Sequence, residues 1–433
     1  MEYLIPLRLL TEIPKFGYLN LRMSHLNNYL FPLLKWILLL LIAGLAAGTL
    51  SAVFLASLNW VTDYRGAHKW LIYLLPLAGL VIGLVYHYKG VSVVRGNNLV
   101  FDTIHNPKDV IPFRMLPLVL GGTLLTHLFG GSAGREGTAL QMSAAAADQL
   151  PKPFRLTMEE RTVLLIAGLS GGFASVFGTP MAGAIFGIEV LLITKFPFKA
   201  IVPSVIAAFF ANYVTGLWGV GHTHYHIDLV PALGFMGLGF SALAGVLFGA
   251  AAILFVWLTE QIAQAAKKIK YPPLRPVIGG VLIICLVLLL DTHKYIGLGI
   301  PVILESFKIA AAPQDFLIKI LLTAITLGVG FKGGEVTPLF FIGAVLGSAL
   351  AIILPLPVGL LAGMGFVAVF AGAAKTPLAC IVMAMELFGA ACGVYVAVAC
   401  VVAYFISGKH SIYNAPENVA PRHFLFNCRF GKL

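Results

Sequence analysis

Charge is scarce in this chain: Asp, Glu, Lys and Arg supply only 11% of its 433 residues, while 59% are hydrophobic. A water-soluble core of this length needs a far more polar surface, so a soluble globular protein is excluded. The class is all-α polytopic membrane protein. Cysteine is sparse too. Cys285, Cys380, Cys392, Cys400 and Cys428 show no C-x-x-C or other ligand spacing, and four lie in apolar stretches, which argues against a disulfide framework or a zinc site. Acidic residues number 18 against 29 basic ones. The basic excess sits at the termini and in short loops, the pattern of loops facing anionic lipid, and no nucleic-acid partner is expected. No cleavable leader is expected either, because the apolar run beginning near Leu33 is too long for a signal core.

What the chain does have is apolar segments. Residues 36–60 run 25 positions without a charge, with Trp36 and Trp60 at the ends, enough to cross a bilayer at a tilt with an indole at each interface. Further candidates lie near 70–88, 111–130, 160–177, 180–194, 200–217, 230–258, 275–290, 315–330, 336–354, 356–372, 377–388 and 390–407. Many are short, closely spaced and rich in glycine and proline. Broken helices at membrane depth are tolerated only where protein or a water-filled cavity surrounds them, which is the texture of a transporter or channel.

The segments repeat. Gly134-Arg135-Glu136-Gly137-Thr138 and Gly333-Gly334-Glu335-Val336-Thr337 share a G-x-E-x-T pattern at an offset of 199. Thr179-Pro180-Met181-Ala182, with Glu189 nine places after the proline, matches Thr376-Pro377-Leu378-Ala379, with Glu386 nine places after its own, at an offset of 197. A weaker match sets Gly96-Asn97-Asn98-Leu99 against Gly297-Leu298-Gly299-Ile300, at 201. The chain therefore reads as an N-terminal cytoplasmic segment (1–32), a first half (33–217), an external linker (218–229), a second half (230–408) and a C-terminal segment (409–433). Arg8, Lys15, Arg22 and Lys35 precede the first span and Lys409, Arg422, Arg429 and Lys432 follow the last, so both ends are expected in the cytoplasm. Between Lys199 and Lys267 there is no lysine or arginine, as expected of an external linker. Halves that start on opposite sides form an inverted repeat, with a site between them.

Glycine-loosened backbone opening a helix, twice, points two sets of free N–H groups and two positive dipole ends at one place. That makes an anion site with Glu136 at its edge. A carboxylate there can occupy the site as a tethered anion or take a proton and leave, so proton and anion compete. Glu189 and Glu386 are read more plainly, as helix-end carboxylates that reach water.

At these residues the chain resembles the CLC family of chloride channels and anion/proton antiporters. GREGT (134–138) is similar to the family's GREGP motif, GFKGGEVTP (330–338) to its second anion-binding loop, GxFxP, and SGKHSIYNAP (407–416) to the segment bearing its central tyrosine. The likeness runs from about residue 33 to 417, and the C-terminal segment is too short to hold the tail domains of larger members. Three departures stand out. RGNNLV (95–100) puts Asn97 where chloride-handling members have the serine of GSGIP. Val190 stands where exchangers carry an inner glutamate, and Glu335 and Thr337 replace apolar residues. The asparagine first loop, GREGT and the glutamate-valine-threonine loop together resemble the fluoride-exporting CLC-F branch.

The resemblance implies CLC architecture of two inverted-topology repeats, a homodimer with one pathway per subunit, and proton-coupled export of fluoride across a bacterial plasma membrane. Chloride/proton exchange and a passive anion channel gated by Glu136 are the alternatives. It implies that Glu136 gates, that Glu335 helps couple protons, that amides of Arg135, Glu136, Gly137, Val336 and Thr337 line the anion sites, and that Asn97 and Tyr413 contact the anion from the inner side. Fluoride is small, hard and tightly hydrated, and Asn97, Thr337 and Tyr413 can each donate a hydrogen bond to replace its water. HF enters cells uncharged and dissociates inside, which gives export a purpose.

Nothing in the chain points to an enzyme or a cofactor: no nucleophile–base pair, metal motif or cofactor loop stands out. His222, His224 and His226 alternate in GHTHYHID, a pattern able to bind zinc or nickel on an extended strand, and are read as an external cluster without a metal. Lys267-Lys268-Ile269-Lys270 reads as a cytoplasmic lipid-facing anchor.

Overall fold

The computed structural model describes residues 17–107, 109–191 and 197–413, with side chains from residue 30 onward. The terminal charges Arg8, Lys15, Arg422, Arg429 and Lys432, together with Cys428, lie outside the described residues. Sixteen α-helices and no strand form among those described. First come α1 (Gly17–Ala67), α2 (Leu75–Tyr88), α3 (Asn97–His105), α4 (Met115–Leu128), α5 (Glu136–Ala147), α6 (Met158–Phe177), α7 (Pro180–Glu189) and α8 (Ile201–Leu217). Then follow α9 (Phe235–Lys267), α10 (Leu274–Leu290), α11 (Ile300–Ser306), α12 (Asp315–Gly328), α13 (Val336–Leu350), α14 (Val358–Ala374), α15 (Pro377–Phe388) and α16 (Gly393–Ile406).

The two runs of eight follow one plan: a long helix first, a short one third, and the fourth to sixth starting 200 residues apart at 115/315, 136/336 and 158/358. Five helical stretches are long and apolar enough to cross a membrane: Leu30–Ala67, Lys69–Tyr88, Met158–Phe177, Phe198–Leu217 and Phe235–Lys267. Three helices have no counterpart among the apolar segments expected from sequence. α3 carries Asp102 and His105, α5 carries Thr138, Gln141 and Ser143, and α11 has only 7 residues. Hydropathy misses α5 because its polar side chains are buried in protein, and α11 because it is so short.

Burial is inverted with respect to length. The short α13 is buried at every residue, α14 from Leu360 to Ala374, and α5 and α6 nearly throughout. The long helices expose large apolar side chains such as Phe31, Trp60 and Phe235, the last 97% exposed, as a lipid-facing surface does. Small residues let the central helices touch: a Cβ on Gly343 would collide with the Gly365 carbonyl, and one on Gly347 with that of Leu361. Backbones this close are the mark of packing by shape in an apolar solvent.

Helix ends are satisfied by side chains, at the surface as well as inside the bundle. Thr157 and Glu160 form a reciprocal capping box at the start of α6, with Glu160 accepting from Thr157 N–H at 2.7 Å. One turn on, the Arg161 guanidinium donates to both oxygens of Asp148 at 2.6 and 2.8 Å and to the carbonyls of Pro107 and Asp109. Asp148 also accepts the Ile111 N–H at 2.7 Å, so every side-chain nitrogen and oxygen of this buried pair has a hydrogen-bond partner. α7 and α15 run antiparallel, each ending at the other's start. Their terminal glutamates are held there; Glu189 is only 8% exposed, so the expectation that it reaches water fails, while Glu386 is exposed.

Candidate functional site

Two loops meet at the centre. The residues before α5 and those before α13 pair as a short antiparallel bridge, Gly134 N–H to Gly334 O at 2.6 Å and Gly334 N–H to Gly134 O at 2.8 Å. The bridge relates 134 to 334, an offset of 200, one more than the G-x-E-x-T match. Arg135 and Glu335 therefore occupy corresponding N-cap positions, and Glu136 corresponds to Val336 at the first position of each helix. The two glutamates of the repeated motif are not structural equivalents.

Glu136 is 1% exposed, and its carboxylate crosses to the start of α13. One oxygen accepts the Thr337 N–H at 3.0 Å and the Arg135 N–H at 3.1 Å. The other accepts the Thr337 hydroxyl and lies 3.5 Å from Arg135 Nε. A carboxylate at a helix N-terminus with three donors is a charged group made stable at depth. Arg135 and Thr337 are both occupied by this side chain. The N–H groups of Glu136 and Gly137 face Gly334, where a Cβ would lie 3.2 and 2.8 Å from them. Only glycine at 334 allows the loops to approach so closely. Val336 is wholly buried.

Asn97 reaches the same place from α3. A Cβ on Gly137 would lie 2.8 Å from Asn97 Nδ2, so the carboxamide packs against the residue after Glu136. Tyr413 is 1% exposed, with its ring 4.8 Å from Phe101 of α3 and 6.5 Å from Phe186 of α7. Asn97, Glu335 and Tyr413 together line a cavity of about 140 Å³ with Arg95, Gln141 and Lys332. Within the described residues, Asn97 Oδ1 and Glu335 Oε2 are buried there without a hydrogen-bond partner.

A second, much smaller chamber of about 10 Å³, the scale of one water, is lined by Arg135, Glu136, Thr337, Phe340 and, from the 218–229 linker, Thr223 and Tyr225. The paired loops contribute to both spaces, Arg135, Glu136 and Thr337 to the chamber and Gly333 and Glu335 to the cavity, and so form the partition. The structure thus brings together Glu136, Arg135, Gly137, Val336, Thr337 and Asn97, with Glu335 and Tyr413 sharing the cavity that Asn97 lines. Sequence reading took from the linker only its histidines and passed over Tyr225. Tyr225 wedges against Phe307, Phe366 and Phe388, with centroids 5.5, 5.0 and 6.1 Å away. His222 packs on Gly178, while His226 lies 3.5 Å from Asp228 on the surface. No cluster of three metal-ligating side chains occurs among the described residues. Lys332 and Gln141 were also missed, although a lysine two places before the glycine pair's second member is an odd residue in so apolar a run.

The family model described as voltage gated chloride channel matches residues 79–408. A chloride/fluoride channel protein of Pseudomonas syringae pv. tomato is 53% identical over 396 residues, spanning 90% of this chain and 88% of that one. An H(+)/Cl(-) exchange transporter of Vibrio vulnificus, ClcA, is 26% identical, over 87% of this chain and 86% of its own. Among solved structures, a CLC-type fluoride/proton antiporter superposes with a TM-score of 0.85 at 36% identity, covering 88% of this chain and 98% of that one. A slow cyanobacterial Cl-/H+ antiporter shares the fold, with a TM-score of 0.73 at 18% identity. The chain belongs to the voltage gated chloride channel, or CLC, family of membrane transport proteins.

Proposed function

We propose that this protein exchanges fluoride for protons, exporting fluoride from the cytoplasm across a bacterial plasma membrane. The observation that carries the reading is the Glu136 carboxylate, seated at the N-terminus of α13 on the Thr337 N–H and hydroxyl and the Arg135 N–H. The seat suits a small anion, and the side chain holds it as a tethered one. A proton on Glu136 removes the charge that these donors stabilise and the side chain leaves, after which a free anion takes the seat. Proton and anion thus alternate, which is the elementary condition for antiport.

In this reading the linker-side chamber faces outward and the cavity faces the cytoplasm, with both termini cytoplasmic. Residues 33–217 and 230–408 are two halves of opposite topology that meet at the Gly134–Gly334 bridge. Asn97 and Tyr413 meet the anion from the inner side. The amides of Arg135, Gly137, Val336 and Thr337 line its path once the carboxylate has left. Glu335, in the cavity wall, passes protons inward in place of the glutamate missing at Val190. The subunit works in a homodimer. The names of the Pseudomonas relative and of the fluoride/proton antiporter support fluoride as the anion. The Vibrio exchanger's name favours chloride/proton exchange as the second reading, and the word channel in the Pseudomonas name keeps a passive pathway gated by Glu136 as the third.

The test is anion efflux from liposomes holding the purified protein, loaded with fluoride or chloride, with external pH recorded and voltage clamped by ionophore. Fast fluoride release with proton uptake and little chloride release is expected. Comparable chloride release returns the chain to chloride exchange, and anion flux without proton movement makes it a channel.

A further inference from the structure

Lys332 is the one lysine in the wall of the 140 Å³ cavity, and none of the ion pairs among the described residues includes it. The loop that carries it is pinned, with its N–H donated to Thr126 Oγ1 of α4 at 3.3 Å. Its stem lies over Gly122, where a Cβ would come within 2.9 Å of Lys332 Cγ. The ammonium sits 4.1 Å from the centre of the Tyr86 ring. The other cation of the wall, Arg95, is committed to Asp102. The acid of the wall, Glu335, makes no ion pair with Lys332 among the described residues, and its Oε2 has no hydrogen-bond partner there.

A cation at this depth without a counter-charge is expensive, and a ring face offsets only part of that cost. A mobile anion in the cavity offsets the rest. We propose that Lys332 is an anion-recruiting residue: its ammonium binds the transported anion in the cavity, beside Asn97, before the anion moves to the seat that Glu136 vacates. The side chain is held by its stem and by Tyr86, so its head stays at the cavity wall while the anion comes and goes. The charge raises the local anion concentration and leaves the seat beyond it unchanged. Lys332 therefore acts on the affinity for internal anion.

The inference rests on the anion-transport reading, and the experiment separates the two. Initial efflux from liposomes is measured against internal fluoride, and separately internal chloride, for the wild type, K332M and K332R. K332M keeps the stem and removes the charge. Its half-saturating internal anion concentration is expected to rise on the order of tenfold, with the maximal rate changed far less, and K332R is expected to recover most of the affinity. A purely structural role would lower the maximal rate or the melting temperature and leave half-saturation in place. K332Q carries the same expectation as K332M if that variant does not fold, and failure of both to fold overturns the proposal. An active wild type with unchanged half-saturation in K332M also overturns it and leaves the transport reading intact. A wild type that releases neither anion overturns the transport reading itself.

Discussion

Glu189 and Glu386 each close the other's helix. Glu189 accepts the N–H groups of Leu378 and Ala379 at 2.9 and 2.7 Å at the start of α15, and Glu386 accepts those of Met181 and Ala182 at 2.9 and 2.8 Å at the start of α7. Each helix begins with Thr-Pro, whose proline has no N–H to satisfy, and the next two N–H groups go to the partner's carboxylate. The two contacts are reciprocal: each helix supplies one carboxylate and receives the other's.

These glutamates are therefore expected to act on stability. Glu189→Ala leaves two N–H groups without acceptors and should cost about 1–2 kcal/mol, read as a lower midpoint in detergent thermal melts. Glu189→Gln should cost less and leave the ratio of protons to anions in liposome flux as in the wild type. A changed ratio with an unchanged melt would make Glu189 part of the proton route.

Glu136→Gln removes the charge that holds the side chain on α13. Proton uptake should stop, while anion efflux persists or slows. Wild-type efflux should quicken as the outside is acidified, because external protons empty the seat, and the variant should lose that response. Proton movement that continues in the variant would dislodge Glu136 from its role.

Thr337→Val deletes the hydroxyl bound to Glu136 and keeps the shape and the N–H contact. A charge-assisted hydrogen bond of this kind is worth about 1.5–3 kcal/mol, so the seated carboxylate becomes about tenfold or more less favoured. The expected result is slippage, more anion released per proton taken up, with Thr337→Ser close to the wild type. An unaltered ratio in the valine variant would show that the N–H groups alone hold the gate.

Asn97→Ser shortens the side chain that now packs against Gly137. Room opens beside the seat for a larger anion, and chloride efflux relative to fluoride should rise by about tenfold, the scale of one lost polar contact. If the ratio of the two fluxes stays put, selectivity belongs to Thr337, Glu335 or Tyr413.

Arg161→Met breaks a buried ion pair and leaves Asp148 with one donor, the Ile111 N–H. Stranding that carboxylate should cost about 3–5 kcal/mol, visible as loss of monodisperse protein in size-exclusion chromatography. Replacing both residues, with Asp148→Leu alongside, should recover part of the loss.

Scarcity of charge, long apolar runs and the G-x-E-x-T and T-P motifs, each present twice, were enough to make the chain a helical membrane protein and to mark the repeated loops as the candidate site. Those signals are local, since hydropathy and glycine content belong to a residue and its neighbours. Polar α3 escaped, and α5 showed only by the glycine loop that opens it, because a short helix inside protein has no need to look apolar. The register of the repeat escaped by one residue, because a loop matches by letters while a bridge pairs by backbone N–H and C=O groups. That Glu136 lies on Thr337, that Glu189 holds α15 and Glu386 holds α7, and that Lys332 faces the cavity of Asn97 all join residues of opposite halves or distant loops. Sequence determined which groups exist. Only the folding of one half onto the other decided which donor meets which carboxylate, because that pairing is set by distance in space and by the low-dielectric surroundings that make every unmet polar group costly.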